Sequence, residues 1–404
     1  MTDAAAVDVA IVGGGLVGAS VALGLADSAL RVALIEPAPP RAGPAQWDER
    51  CIAVNHASVR ILEALGAWPQ LAPQAAPIRS THISERGRFG VARFTAEECG
   101  LDALGYNLPL GALGEALWRR VSASKVQIRA PARLAAARVE RDRVELRLDD
   151  GQVLAARLVV AADGAQSPLR GWFGVGAQTH DYRQSAIVTA VRCSRPHAGC
   201  AYERFTPDGP IALLPKPWGD EDRLCSLIWT TPATELAARM NSDDGAFLQA
   251  AQQAFGERLG RFVEIGRRQA YPLQRVVSSS VIAARTVFVG NAAQSLHPVA
   301  AQGFNLGLRD AATLAELLLA IGAGDPGEPA LLQRYAQLRE TDRSRMAGFT
   351  DGIVRLFSNR IPGLRGLRHL GLLAVDLVPG VRETVLWQNL GYAGHSPRAA
   401  RSQL

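Results

Sequence analysis

Three segments far apart in the sequence each end an apolar run with residues that suit a nucleotide-binding turn. The first covers residues 13–18, where glycines stand in a GxGxxG spacing after the apolar run 7–12. The second is the Asp-Gly pair at 163–164, and the third is the Gly-Asn pair at 290–291. Each segment alone is a modest signal. Their order and spacing together predict a single dinucleotide site built from all three.

The first segment has the chemistry that a pyrophosphate requires. Gly13 permits the tight turn, Gly15 lets the backbone approach the phosphates, and Gly18 allows close helix–strand packing. A helix running to about residue 26 then directs its positive N-terminal end toward the phosphates. A second strand, residues 31–35, ends at Glu36, which stands 18 residues past Gly18. That spacing predicts a carboxylate that accepts from a ribose hydroxyl, but it does not distinguish FAD from NAD.

The elements around these segments predict an α/β fold. Alternating runs at 134–139, 144–148 and about 152–154, with an Asp-Asp-Gly turn at 149–151, indicate a three-stranded meander. Apolar runs at 158–162 and 285–289 indicate buried parallel strands. Between about residues 175 and 280 further strand-like runs predict an antiparallel sheet that covers the cofactor. These runs are 185–191, 201–205, 211–214 and 224–230.

Composition sets limits on the class of protein. The 404 residues are 48% hydrophobic and 20% charged, as in an ordinary globular chain. The net charge of +6 comes almost entirely from arginine, with Lys125 and Lys216 as the only lysines, and no basic–aromatic pattern indicates nucleic-acid binding. Five cysteines without a CxxC pair favour a reducing compartment and argue against a disulfide framework or a zinc site. Neither a transmembrane run nor a signal peptide is predicted, so we expect a cytoplasmic protein.

The third segment and its surroundings suggest a family. Residues 290–298 read Gly-Asn-Ala-Ala-Gln-Ser-Leu-His-Pro, and residues 302–307 read Gln-Gly-Phe-Asn-Leu-Gly. Together with residues 48–50 (Asp-Glu-Arg) and 350–352 (Thr-Asp-Gly), they make the chain resemble the class A flavoprotein aromatic hydroxylases, the family of p-hydroxybenzoate hydroxylase. The ubiquinone-biosynthesis branch is the most similar. The resemblance spans essentially the whole chain.

The resemblance implies a Rossmann-like FAD-binding domain with an inserted antiparallel-sheet substrate domain and C-terminal helices. Its predicted division is 1–75, 101–176 and 281–330 for the FAD-binding domain, 76–100 and 177–280 for the substrate domain, and 331–404 for the C-terminal helical region.

The resemblance also implies a set of cofactor-binding residues. Glu36 is expected at the adenosine ribose, Arg50 and Asp163 near the pyrophosphate, and Asn291 at the ribityl chain in place of the family's usual aspartate. Ala301 replaces a glycine that the family usually has. The full predicted FAD set is Gly13, Gly15, Leu16, Val17, Gly18, Glu36, Pro37, Arg50, Asp163, Gly164, Gly290, Asn291, Pro298, Gln302, Gly303, Phe304 and Asn305.

The activity that the resemblance implies is hydroxylation of a polyprenyl phenol in ubiquinone biosynthesis. NAD(P)H reduces FAD in this family, and oxygen then adds to give a flavin C4a-hydroperoxide that the ring attacks. Pro298, Gly303 and Phe304 are expected at the reacting flavin ring, and Leu213, Pro215 and His297 in the substrate pocket. No metal is expected. Two alternatives stay open, namely a hydroxylase of a small soluble phenol and a flavin-bearing assembly subunit of a quinone-biosynthesis complex.

The C-terminal part has a helical pattern from about residue 330, with many arginines between apolar residues. The pattern is typical of an amphipathic helix that packs on the domain and exposes a basic face, including Arg339 and Arg343. The alternative function for this face is to dock on an anionic membrane surface, such as the inner membrane, or on a partner enzyme. The oligomeric state cannot be predicted.

Overall fold

The computed structural model describes residues 5–40, 43, 46–88, 90–295, 302–357 and 379–401. The strands are β1 (Ala5–Val12), β2 (Val32–Ile35), β3 (Cys51–Asn55), β4 (Ala76–Ile78), β5 (Ser80–Glu85), β6 (Val91–Thr95), β7 (Gly105–Pro109), β8 (Gln127–Arg129), β9 (Leu134–Val139), β10 (Val144–Leu148), β11 (Val153–Ala161), β12 (Ala177–Cys193), β13 (Cys200–Thr206), β14 (Gly209–Pro215), β15 (Leu224–Pro232), β16 (Phe262–Ile265), β17 (Gln269–Ser278), β18 (Ile282–Ala283), β19 (Thr286–Phe288) and β20 (Gln294–Ser295). The helices are α1 (Leu16–Leu25), α2 (His56–Ala64), α3 (Trp68–Leu71), α4 (Leu110–Ser122), α5 (Pro168–Trp172), α6 (Ala233–Asn241), α7 (Asp244–Phe255), α8 (Gln302–Ala320), α9 (Pro329–Phe357) and α10 (Pro379–Leu390).

The first sheet has a parallel centre in the order β19-β11-β1-β2-β8. Its middle strand β1 is completely buried at Val9, Ala10 and Ile11, as expected for a parallel strand covered on both faces. The meander β9-β10-β11 joins this sheet because β11 is one continuous strand. Its first half pairs antiparallel with β10, and the whole strand runs parallel to β1. The sequence had predicted two separate runs here, and the structure merges them.

The second sheet covers one side of the molecule in the order β20-β17-β12-β15-β14-β13-β5-β6, with β16 beside β12. All pairs are antiparallel except β13 with β5. One face of this sheet packs on α7 through a buried cluster that includes Ile211, Leu213 and Phe247. The opposite face is free to line a cavity. β3, β7 and β4 form a third, small antiparallel sheet in the order β3-β7-β4.

Helix α9 differs from the expectation of a solvated basic face. The side chain of Arg339 is completely buried, and that of Arg343 is 10% exposed. Arg339 donates to Asp310 (2.7 Å) and to Asp342 (2.5 Å), so this part of the helix faces a buried ionic cluster instead of solvent. The other arginines of the predicted basic face lie beyond the described side chains, namely Arg345, Arg355, Arg360, Arg365 and Arg368. In the described part of the chain, no helix is both long and apolar enough to span a membrane.

Candidate FAD and substrate site

The three predicted segments meet at one edge of the parallel sheet. The ends of β1 and β2 pair at Val12 and Ile35, and β1 pairs with the end of β11 at Ala161. Phe288, at the end of β19, pairs with Ala161 in turn. Because the carboxyl ends of parallel strands lie together, residues from 13, 163 and 290 onward come close in space.

Two of the motif glycines are required by the protein itself. Gly13 has φ +101°, and a Cβ there would lie 2.4 Å from the carbonyl oxygen of Ala162. A Cβ at Gly18 would lie 1.8 Å from the carbonyl oxygen of Gly13. At Gly15, by contrast, a Cβ would meet no protein atom within 4 Å. The space above Gly15 therefore fits a pyrophosphate, which needs open backbone at that position.

Glu36 lies beside the glycine turn because β2 ends next to β1. Its Oε2 accepts from the Gly14 amide (2.5 Å) and its Oε1 from the Ala38 amide (2.8 Å). Trp118 on α4 donates from Nε1 to the Gly14 carbonyl oxygen at 2.6 Å. Gly14 is thus held on both sides. Pro37 is exposed. Trp118 was missed by sequence reasoning because nothing near residue 118 resembles a nucleotide-binding motif.

The second segment places Gly164, but not Asp163, at the cavity wall. Gly164 lines the cavity. The Asp163 carboxylate turns instead toward the start of α5, where Oδ2 accepts from the Leu169 amide at 3.3 Å. Burial raises the pKa of Asp163, and its buried Oδ1 has no hydrogen-bond partner among the described residues. An orphaned oxygen of this kind fits a residue that gains a partner when a ligand binds.

The third segment contributes Asn291 and the start of α8. Gly290 has φ +57° and lies against Val17, and Asn291 lines the cavity together with Gly303 and Phe304. Asn305 also lines the cavity. Pro298 and His297 lie outside the described residues, as does Ala301, and of Gln302 only the helical backbone is described.

Asn305 lines the cavity and also holds two secondary-structure elements together. Its Oδ1 accepts from the Asn55 amide (3.0 Å), and its Nδ2 donates to the Ala53 carbonyl oxygen (3.1 Å). Both bonds fasten α8 to β3. The residue was predicted as a flavin contact, and the structure gives it this second role.

Arg50 also lines the cavity, from its position directly before β3. Its guanidinium lies 4.5 Å from the centre of the Tyr271 ring, which holds the cation over an aromatic face. The neighbouring backbone is fixed by the buried Lys216, which donates to the Glu49 carbonyl oxygen and to Cys51 Sγ (3.1 Å). A cation at this wall suits a phosphate or another anionic part of a cofactor.

A buried ionic cluster supports the third segment from behind. Arg339 bridges Asp310 and Asp342, and Arg309 lies 3.3 Å from Asp342. The second carboxylate oxygen of Asp310 accepts from the Gly290 amide and from Gln294 Nε2, both at 3.2 Å. Although burial acts against it, the two carboxylates raise the pKa of Arg339. The cluster therefore fixes the turn that carries Asn291.

The cavity between the two large sheets measures about 900 Å³. It begins at Gly15 and Asn291 and extends over the free face of the second sheet. Its far end is apolar, where Phe94 and Leu390 belong to a buried cluster and Leu386 packs against that cluster. A space of this size and composition accommodates a flavin ring together with a large apolar ligand.

The predicted pocket residues Leu213 and Pro215 lie on the wrong face of β14. Side chains alternate along a strand, and Pro210, Ala212 and Leu214 are the ones that line the cavity. Leu213 is completely buried in the cluster under α7. The sequence could not resolve this parity, because both faces of β14 carry apolar residues.

Glu203 on β13 is a second residue that the sequence prediction overlooked. It lines the cavity among apolar neighbours, and burial raises its pKa from 4.5 to about 7. The available signal was an acid between two apolar residues at alternate positions of β13, since Ala201 and Phe205 line the cavity on either side of Glu203.

Known proteins with similar sequences include a FAD-binding family and hydroxylases of the kind that the site geometry indicates. The family model described as FAD binding domain matches residues 6–350. The ubiquinone hydroxylase UbiL of Rhodospirillum rubrum is 37% identical over 399 residues, covering 98% of this chain and 92% of the relative. The 3-demethoxyubiquinol 3-hydroxylase of Escherichia coli is 35% identical over 392 residues, covering 95% and 98%.

Among solved structures, the p-nitrophenol 4-monooxygenase PnpA of Pseudomonas putida matches with a TM-score of 0.77 at 17% identity, covering 97% of this chain and 99% of that one. PqsL of P. aeruginosa, solved with 2-aminobenzoylacetate, matches with a TM-score of 0.75 at 22% identity, covering 91% and 99%. At these identities the two structures show a common fold, which is the predicted one.

Proposed function

Because the chain belongs to the FAD binding domain family of monooxygenases, we propose that it hydroxylates the ring of a polyprenyl phenol in ubiquinone biosynthesis, with NAD(P)H and O2 as co-substrates. One observation carries the proposal: a single cavity of about 900 Å³ joins the FAD-binding turn to a long apolar wall. A prenylated ring needs both parts, because its ring must meet the flavin while its tail needs an apolar cleft. The alignments to two ubiquinone-pathway hydroxylases, at 37% and 35% identity over nearly the full chain, support the same substrate class.

The residues present fit FAD. Gly15 leaves open backbone for the pyrophosphate, Arg50 supplies a cation, and Asn291 offers both an acceptor and a donor to the ribityl chain. Gly303 and Phe304 lie in the first turn of α8, whose free amides and dipole favour negative charge on the flavin ring. Bound FAD, reduced by NAD(P)H, would activate dioxygen for transfer of one oxygen atom to the ring.

The apolar wall has a second task. Activated oxygen is lost without product if bulk water reaches the flavin. The side chains of Ala212, Leu214 and Ile228 on the free sheet face, with Leu386 on α10, exclude water from that space. The wall therefore couples NAD(P)H oxidation to product formation.

The test uses purified holoenzyme, NAD(P)H, oxygen and a prenylated phenol, with the product identified by mass. We expect one hydroxylated product per NAD(P)H. Equal activity on short phenols lacking the prenyl chain would favour the small-phenol alternative. The position of the new hydroxyl distinguishes two reactions, because the third segment resembles that of UbiH, the 2-octaprenyl-6-methoxyphenol hydroxylase, whereas the E. coli relative is a 3-hydroxylase.

The assembly-subunit alternative predicts a different outcome in cells. Replacing Gly15 with a bulky residue should remove FAD while leaving the fold, since no protein atom lies within 4 Å of the new Cβ. A catalytic flavoprotein then stops producing quinone and accumulates the unhydroxylated precursor. Continued quinone production by a flavin-free variant would support the assembly role.

A water-insoluble substrate also calls for contact with a membrane surface, and α10 is the element that we assign to it. Leu386 and Leu390 of this helix line the cavity, while Val381 and Trp387 are 40% and 45% exposed. An exposed tryptophan beside a cavity wall suits the interface of a bilayer. Flotation with anionic vesicles tests the assignment, and Trp387→Ser should reduce the bound fraction. Unchanged flotation would place the contact elsewhere.

A further inference from the structure

Glu203 stands out from the wall on which it lies. Its register partners are Ala212 on β14 and Ile83 on β5, and both of these apolar residues line the same cavity. Among the described residues that line the cavity, Glu203 is the sole carboxylate. The free sheet face is otherwise built to exclude charge.

No described residue compensates this carboxylate. It forms no hydrogen bond or ion pair within the described ranges, and the one other charged residue of the described lining is Arg50. Arg50 stacks on Tyr271 of β17, four strand positions away from β13 in the sheet. At about 4.8 Å per strand the separation is roughly 19 Å, which is too far for pairing. An isolated acid in an apolar cavity is costly unless a ligand satisfies it.

From this geometry we infer that Glu203 binds the ring hydroxyl of the substrate and accepts its proton during hydroxylation. The inference rests on the proposed function. The phenolic O–H bond breaks, the proton moves to a carboxylate oxygen of Glu203, and the electron pair remains on the phenolic oxygen. That pair raises the electron density of the ring carbons ortho and para to it, where the new oxygen atom attaches.

The overall reaction also takes up one proton from solvent, and the proton on Glu203 returns to the phenolic oxygen once the ring is aromatic again. Two electrons come from NAD(P)H, one atom of O2 enters the ring, and the other leaves as water. The ring carbon that gains oxygen loses its own proton. A base is effective when its pKa lies near the working pH, and burial holds the pKa of Glu203 at about 7.

The experiment compares three variants as FAD-loaded enzymes. Glu203→Gln keeps the shape and removes the base, Glu203→Asp keeps the base but withdraws it by one methylene, and Glu264→Gln is the matched control. Glu264 lies on β16 of the same sheet, where its side chain is 49% exposed and pairs with Arg192 at 2.7 Å. The readouts are FAD content, NAD(P)H oxidation, hydroxylated product and the pH profile of product formation.

We expect Glu203→Gln to retain FAD and to lose product formation by about 10²- to 10⁴-fold, the usual contribution of a positioned base. NAD(P)H oxidation without product should continue. The wild-type rate should rise with pH through about 7, as the carboxylate ionises, and this inflection should vanish in the Gln variant. Glu203→Asp should lose less activity and keep an inflection, and Glu264→Gln should match the wild type.

The outcomes separate the two proposals. If wild-type enzyme forms no hydroxylated product, the proposed function fails. If wild type is active and Glu203→Gln keeps its rate and pH profile, the function stands and the inference about Glu203 is wrong. If Glu203→Gln binds no FAD, Glu203→Asp decides the matter. An active Asp variant with the inflection supports the inference, and one without it overturns the inference.

Discussion

The substitution Arg339→Met tests whether the buried ionic cluster holds the FAD-binding turn in place. Arg339 and Arg309 face Asp310 and Asp342, and all four side chains are at most 2% exposed. The two charges of each sign cancel. Methionine keeps much of the volume of arginine but removes one positive charge, so the cluster is left with an excess negative charge in the protein interior.

The size of the effect follows from the burial. Breaking a buried pair by removing one partner costs about 3–5 kcal/mol, because the remaining charge is uncompensated. Unfolding entropy near 2.1 cal/mol/K per residue gives about 0.85 kcal/mol/K for 404 residues if the protein unfolds as one unit. The melting temperature should therefore fall by about 4–6 °C. Asp310 also binds the Gly290 amide, so FAD affinity should fall as well.

The assay is thermal unfolding by calorimetry, combined with titration of apoprotein with FAD. Arg334→Met is the matched control, because Arg334 lies on the same helix and its side chain is exposed. We expect the control to differ from wild type by less than about 0.5 kcal/mol, as is usual for surface changes. Equal melting temperatures for the two variants would refute the view that the cluster is a charge-balanced support. A lower melting temperature with unchanged FAD affinity would refute its link to the turn.

Three further predictions concern the site. Gly18→Ala should prevent folding, because the new Cβ would lie 1.8 Å from a backbone oxygen. Gly15→Ala should fold but bind FAD weakly, because its Cβ would meet no protein atom within 4 Å. Soluble yield measures the first effect, and flavin absorbance per protein measures the second. Leu213→Ala should cost about 2–5 kcal/mol of stability with little change in KM, whereas Leu214→Ala should chiefly raise KM for the prenylated substrate. The folded-state pKa of Glu203, about 7, exceeds the unfolded value of 4.5, so its stabilising contribution is complete below pH 4.5 and is lost as pH rises through 7. The free energy of unfolding of Glu203→Gln should therefore rise relative to that of wild type by up to about 3 kcal/mol between pH 4.5 and 8. A constant difference in unfolding free energy between the two proteins across that pH range would contradict this prediction.

Local patterns were enough to predict the α/β fold and the meeting of the three segments. Glycine positions, short apolar runs and an acid at the end of the second strand depend on a few neighbouring residues, and sequence spacing retains that information. The hairpin at residues 149–151 is a further case, since the turn residues and the alternating runs on either side predicted the pairing of β10 and β11. Family resemblance supplied the cofactor and the fold class.

Features that depend on which face a side chain occupies could not be predicted. β14 is apolar on both faces, so composition could not show that Leu214 lines the cavity while Leu213 packs under α7. The same limit applied to α9, where arginines between apolar residues predicted a solvated basic face. Only the tertiary position of Asp310 on α8 shows that Arg339 is buried.

The contrast between Arg339 and Glu203 shows how the protein uses buried charge. Each charge of the ionic cluster faces an opposite charge, so the cluster can stabilise a turn without needing a ligand. Glu203 faces apolar residues and an open cavity, so its burial is unfavourable until a hydrogen-bonding ligand arrives. A fold selected only for stability would have placed an apolar residue at position 203, as it did at the register partners Ile83 and Ala212. The cost at that one position is therefore best explained by the chemistry of the substrate.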